Sequence, residues 1–285
     1  MSTFTLPGTI PPISVQLTPN LSEKQLLSFP AFKIWLSTLQ HSLSTQKNIK
    51  HAFKSSPYAL RKIEIQAVDF FGGDRLGFVK LRADVSNDEG EKLPGSVFLR
   101  GGSVGILLIL QPNDIPLGSD AEKRAVLTVQ PRIPAGSLAF PEIPAGMLDD
   151  SGTFSGGAAK EIQEETGLLI RQGELIDMTA LTLDLIACTE EAGAKGEIAG
   201  EKLQNGVYPS PGGSDEFIPL FLCHKRMDRS EIEKLQGQLT GLRKEGEKIT
   251  LKLVPLEELW KVGVRDGKTL AAWALYQGLK GEGKI

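Results

Sequence analysis

Cysteine is nearly absent from this chain. The only two, Cys188 and Cys223, make neither a metal-ligand pair nor a disulfide framework, which suits a reducing compartment. A basic excess is also missing: 32 Lys and Arg face 35 Asp and Glu, for a formal net charge of -3. Nonspecific nucleic-acid binding is therefore not expected, and an anionic substrate has to be met by local arginines. No apolar run is long. Val104 to Leu110 has the length of a strand and cannot cross a bilayer, so no membrane partner is expected. No basic residue precedes Lys24 and no Arg precedes Arg61, so neither a secretory nor a mitochondrial presequence is evident and a cytoplasmic location is expected. Repeats and low-complexity tracts are absent.

What is present agrees with real cores. The chain has 285 residues, 40% of them hydrophobic and 24% charged, enough for two modest domains. Residues 1-20 are rich in Pro, Ser and Thr and read as an extended or loosely ordered arm. Ser22 with Gln25 resembles a capping box opening a helix on which Phe32, Trp35, Leu36 and Leu39 recur at helical spacing, with Trp35 as a core aromatic. From Ala59 the texture turns to alternation. Arg61 to Val68 and Leu76 to Ala83 flank a turn at Gly72-Gly73-Asp74, and a further strand runs from Ser96 to Arg100. This gives a small N-terminal α+β domain over 21-95.

The larger domain, 96-285, interleaves strands and helices and reads as a layered α/β sheet. Its expected strands are Val104 to Leu110, Arg124 to Gln130, Leu175 to Leu185, Ile218 to Cys223 and Ile249 to Val254; its later helices are Leu256 to Trp260 and Thr269 to Leu279. The polar, glycine-rich stretch 187-206 reads as an inserted surface loop, either a lid or simple disorder.

The chemistry concentrates between Gly146 and Leu168. Glu161, Glu164 and Glu165 fall within five residues of a short helix, with Ser155 as a possible N-cap, Ala158, Ala159 and Ile162 on the inner face, and Gly167 as the stop. Carboxylates at i, i+3 and i+4 share a face and repel one another, a cost that a hard divalent cation with oxygen ligands removes. Taken alone, such a cluster is more often a solvated helix face.

The segment resembles the Nudix box, a loop-helix-loop in which Gly146, Glu161, Ile162, Glu164, Glu165, Gly167 and Leu168 hold the required spacing. It departs at Lys160, where the family usually has Arg, and at Gly152, where a first Glu is usual. Lys160 keeps the charge but loses the planar fork, and Gly152 bears on how many ions are bound. Phe32-Lys-Ile-Trp-Leu, Val68-Asp-Phe-Phe-Gly, Val129-Gln-Pro-Arg, Glu142-Ile-Pro-Ala-Gly and Ser210-Pro-Gly-Gly-Ser-Asp-Glu extend the likeness over roughly residues 30 to 280. Within the superfamily they are similar to the ADP-sugar and ADP-ribose pyrophosphatases, above all the plant-type ADP-sugar pyrophosphatases.

That resemblance implies a Nudix α/β/α sandwich with a mixed sheet, preceded by the smaller N-terminal domain. It implies Mg2+, with Mn2+ as a substitute, held by the carbonyl of Ala145 and by Glu161, Glu165 and Glu247. Glu164 stands alongside, and Glu245 is the base for the attacking water. Arg100 and Arg132 are the candidates for phosphate or sugar contacts, Glu142 for orienting Arg132, and Phe70 or Phe71 for stacking on adenine; strand-edge solvation and core packing are the plainer uses of Arg100 and of one phenylalanine. The implied partner molecules are a nucleotide-sugar substrate and a second copy of the chain, a homodimer whose N-terminal domain reaches across to the other's site. The implied reaction is hydrolysis of an ADP-sugar at its diphosphate. A Nudix hydrolase of a dinucleotide, and a nucleotide-binding module without turnover, are the alternatives.

Overall fold

In the computed structural model the described residues are 2–48, 50–147, 154–191, 201–241 and 248–285. The chain divides into two compact units: Met1–Gly102 with Gly193–Gln204 and Ser210–Glu216, and Ser103–Ala192 with Asn205–Pro209 and Phe217–Ile285.

The first unit is a six-stranded sheet covered by two helices. Its strands are β1 (Thr3–Thr5), β2 (Ser14–Gln16), β3 (Ala59–Phe71), β4 (Arg75–Ser86), β5 (Lys92–Leu93) and β6 (Ser96–Leu99), in the order β1-β2-β3-β4-β5 with β6 also on β4. The opening residues, expected to be extended or loosely ordered, are extended in part and supply β1 and β2. They do so because Leu6, Ile13, Val15 and Leu17 are apolar enough to be buried beneath them. The expected hairpin is β3-β4, turning at Gly72 and Gly73, whose φ angles of 53° and 86° suit glycine. Val79, Leu81, Ala83 and Val85 alternate onto the inner face against Leu26, Ala31 and Phe32.

The helical segment of this unit is two helices rather than one. Helix α1 (Glu23–Ser28) starts with the Ser22–Gln25 capping box, and α2 (Pro30–Thr45) starts at Pro30. A proline disfavours helical geometry in the residue before it, and Phe29 is accordingly extended at φ -68° and ψ 117°. Trp35 packs against the core beside Phe32, with ring centroids 5.9 Å apart.

The segment Ser210–Glu216 is stitched to β6. The Phe98 N–H donates to the Gly213 carbonyl at 2.8 Å, and the Asp215 carboxylate accepts the N–H groups of Arg100 (2.8 Å) and Gly101 (3.2 Å). Asp215→Ala leaves both donors without that acceptor. A loss of about 2 kcal/mol is expected in urea unfolding, the range for charge-assisted hydrogen bonds. A loss below about 0.5 kcal/mol would mean that solvent replaces the carboxylate freely.

The second unit is an eight-stranded mixed sheet between helical layers. Its strands are β7 (Ser103–Pro112), β8 (Arg124–Arg132), β9 (Ser137–Glu142), β10 (Ala145–Met147), β11 (Leu175–Asp177), β12 (Leu220–Met227), β13 (Leu239–Thr240) and β14 (Ile249–Pro255). The order is β11-β12-β7-β8-β14-β13, with β10 on β7 and β9 on β8. β12 runs parallel to β7, and all ten residues of β7 are buried, as a strand covered on both faces requires. Its even residues Val104, Ile106, Leu108 and Leu110 pack with α3 (Phe154–Thr166) and α5 (Arg229–Leu235). Its odd residues Leu107 and Ile109 pack with α4 (Met178–Glu191), α6 (Leu259–Val262) and α7 (Gly267–Gly281). The expected α/β/α sandwich with a mixed sheet is present.

Two local expectations change. Only Leu175–Asp177 of the segment expected as one long strand is extended; from Met178 the chain is helical. Asp177 accepts the Ala180 N–H at 2.9 Å, and Met178, Leu181 and Leu185 then meet the core at helical spacing. Residues 187–191 of the expected loop continue α4, while 192–200 lie outside the described residues. Ser155 lies inside the first turn of α3 rather than before it. Among the described residues no helix is long and apolar enough to cross a membrane.

Candidate active site

Helix α3 turns Ala158, Ile162, Glu165 and Thr166 inward, so one acidic residue is buried along with the apolar stripe. Gly167 ends the helix at φ 75°, its N–H donating to the Gln163 carbonyl at 3.0 Å. The inward face meets β10. The Ala145 N–H donates to Glu165 Oε2 at 2.9 Å, and Gln130 Nε2 of β8 donates to Oε1 at 3.2 Å. Glu161, one turn earlier, lies against Gly146: a Cβ there would fall 1.8 Å from the Glu161 carboxyl carbon and 2.0 Å from its nearer oxygen. Gly146 is thus a space requirement, not a conformational one.

Only 5% of Glu165 is exposed. Burial pushes its pKa up to about 8; the charges of Glu161 and Glu142 push the same way, and the donors from Ala145 and Gln130 oppose them. Two carboxylates coupled in this way, one of them buried, form a hard-oxygen donor set whose repulsion a divalent cation would relieve, so Glu161 and Glu165 fit a metal such as Mg2+. Among the described residues no group of three His, Cys, Asp or Glu is arranged to hold an ion. Glu245 and Glu247 lie outside the described residues. Just before them in sequence, the Thr240 hydroxyl of β13 donates to the backbone carbonyl of Glu165 on α3. Glu164 sits on a more open side of the helix, 3.9 Å from Lys160, too long and too exposed a pair to add much stability.

Next to this pair, Glu142 is 2% exposed and accepts from Arg132 Nε at 2.6 Å. It also pairs with Lys268. Lys268 reaches Asp266 at 3.0 Å, and Asp266 accepts from the Thr269 N–H and hydroxyl at 3.2 and 2.6 Å, capping α7. The Thr269 hydroxyl in turn accepts the Ile143 N–H at 3.1 Å. Gln130, Thr240, Asp266, Lys268 and Thr269 were not among the sequence candidates. Only Asp266 before Thr269 carried a local signal, that of a helix cap.

Arg100 belongs to the first unit. There Nη1 pairs with Glu216 at 3.1 Å, and its Nε is buried with no hydrogen-bond partner among the described residues. Phe70 packs against the first unit's core, whereas Phe71 meets Phe78 edge-on at 4.8 Å. Cys223 is buried and its thiol pushed up to about 11, chiefly by that burial, so it is inert as a nucleophile.

A glycine-spaced acidic helix beneath a mixed sheet in an α/β/α sandwich is the arrangement of the Nudix hydrolases, and this chain belongs to that family. The NUDIX domain family matches residues 114–273. Nudix hydrolase 14, chloroplastic, of Arabidopsis thaliana is 36% identical over 279 residues, covering 96% of this chain and 79% of that protein. A crystal structure of an ADP compounds hydrolase overlays 80% of this chain and 99% of its own at 14% identity, with a TM-score of 0.43. The chain is accordingly an enzyme, a Nudix pyrophosphohydrolase of a family that generally uses a divalent metal such as Mg2+ and acts on small nucleotide derivatives.

Proposed function

We propose that this hydrolase cleaves the diphosphate of an ADP-sugar, ADP-ribose or ADP-glucose, to AMP and a sugar phosphate with Mg2+ as cofactor. The observation that carries the reading is the Glu161–Glu165 pair on α3, one carboxylate seated against Gly146 and the other buried under Ala145. A diphosphate repels nucleophiles through its own charge, and the ion would supply neutralisation of that charge and acidification of the attacking water. Glu161 and Glu165, with Glu247 and the Ala145 carbonyl, are the proposed holders. Glu245 is the proposed proton acceptor, and Glu164 stands in support. Arg132, oriented by Glu142, is proposed to grip the substrate's anionic groups, as is Arg100; Phe70 is the proposed aromatic contact. A homodimer and a cytoplasmic location complete the proposal.

The test is a substrate panel with Mg2+ covering ADP-ribose, ADP-glucose, NADH and diadenosine polyphosphates. The highest kcat/KM is expected on an ADP-sugar, with AMP and sugar phosphate as products and no reaction in excess EDTA. Preference for NADH or a diadenosine polyphosphate would move the enzyme to dinucleotides, and turnover of none of them would leave a binding module.

A further inference from the structure

The structure holds a charge network at Glu142 larger than the orientation of one arginine requires. A buried carboxylate is adequately matched by one cation, yet Glu142 has two, Arg132 on Oε1 and Lys268 on Oε2. The two differ. Lys268 is largely buried, its side chain 13% exposed, and is shared with Asp266 at the start of α7. Arg132 is 40% exposed, and among the described residues its polar contact is the one from Nε to Glu142. Its guanidinium is therefore anchored at one corner, and its two Nη groups are left for another partner.

We infer that Lys268 is a positioning residue for anion binding: by neutralising the second oxygen of Glu142 it lets Arg132 give only its Nε, so that the Nη fork stays turned out toward a diphosphate oxygen. The physical ground is competition for a forked donor. A guanidinium meets a free carboxylate best through two parallel hydrogen bonds. With Lys268 absent, Glu142 has an oxygen to spare and draws Arg132 into a two-pronged pair through Nε and one Nη, breaking up the Nη fork that would otherwise grip the ligand. Asp266 holds Lys268 in register, and through Thr269 and the Ile143 N–H the same network reaches the residues that lead into Ala145 and Gly146. Lys268 does not itself touch the ligand in this scheme. An arginine at 268 could serve, since a cation on the second oxygen is what the scheme needs.

The inference refines the proposed contact of Arg132 with the substrate, so its test is made independent of turnover. Inorganic diphosphate is titrated calorimetrically into the full chain in EDTA, for wild type, Lys268→Met, Lys268→Arg, Arg132→Gln and the Lys268→Met/Arg132→Gln double variant. Lys268→Met is expected to weaken diphosphate binding about tenfold, the scale of one charge-assisted hydrogen bond. Arg132→Gln is expected to weaken it at least as much, the double variant no further than Arg132→Gln alone, and Lys268→Arg is expected to stay within about threefold of wild type. With ADP-ribose and Mg2+ the same loss should appear in KM and spare kcat. If Lys268→Met retains its effect when Arg132 is already Gln, Lys268 acts through space or on the fold and the inference is overturned. Wild-type binding by Lys268→Met overturns it too, as does failure of the wild type to bind diphosphate. Should Lys268→Met melt without cooperativity, the 15N resonance of Arg132 Nε in Lys268→Gln decides: a bond to Glu142 unchanged from wild type, with binding lost, overturns the scheme. Diphosphate binding without ADP-sugar turnover would sink the proposed substrate while sparing the role of Lys268.

Discussion

Glu165→Gln is expected to stop catalysis while making the metal-free protein harder to melt. The loss of rate should span several decades, about 4 kcal/mol or more in the barrier, because the variant removes a charge from the proposed metal site. Glu161→Gln should lose a similar amount. The stability effect follows from the burial of Glu165. Its carboxyl ionises near 8 in the folded chain, against 4.5 in an ordinary setting. A raised carboxyl favours folding while it keeps its proton and opposes folding once it is ionised, so the penalty is absent below pH 4.5 and complete above pH 8. In EDTA at pH 8, Glu165→Gln should therefore raise the melting temperature by roughly 3 °C or more, an advantage that disappears near pH 4. Mg2+ should raise the melting temperature of wild type and do little for the variant. Near wild-type turnover at saturating Mg2+ would remove Glu165 from the proposed metal site, and a stability gain that grew on acidification would contradict the burial account.

Gly146→Ala should be nearly as damaging to activity through a single methyl group. The added carbon would lie 1.8 Å from the Glu161 carboxyl, where ordinary contact begins near 3.4 Å. The atom it meets is the far end of a flexible side chain, so Glu161 swings aside and the fold gives little. The melting temperature should fall by only a few degrees. Activity is another matter, since displacement of a catalytic group by about 1 Å commonly costs about 10²-fold. We expect kcat/KM to fall by about 10² to 10³ and the Mg2+ requirement to rise. Combined with Glu161→Gln, the glycine substitution should cost little more, because both act on one carboxylate. Full activity in Gly146→Ala, or strict additivity in the pair, would show that Gly146 does not make room for Glu161.

Local signals made much of this legible. The β3-β4 hairpin followed from alternation around two glycines, the Ser22 capping box from its spacing, and the acidic helix from Glu161, Glu165 and the stop at Gly167. Misreadings arose where two local patterns competed. Leu175 to Leu185 is apolar enough for either a strand or a helix, and the deciding bond, Asp177 to the Ala180 N–H, is one polar residue in that run. Phe29-Pro30 broke a helix whose apolar spacing continued through it. The place of β2 in the sheet depends on pairing with β3, more than forty residues away, and β1 in turn pairs with β2. The partners of Glu142 show the same limit: Arg132 lies ten residues distant and was anticipated, whereas Lys268 lies 126 residues distant and has no local pattern to announce it.

The complete burial of β7 has a bearing on how the second unit comes apart. Because alternate residues of this strand are side-chain neighbours of helices on opposite faces, neither helical layer can peel away without wetting a row of the same strand. Within that unit the two layers share a fate. The helix that carries Glu161 and Glu165 therefore belongs to the most cooperative part of the unit, not to a fraying surface element, and partial opening that would scatter its carboxylates requires loss of the central strand as well.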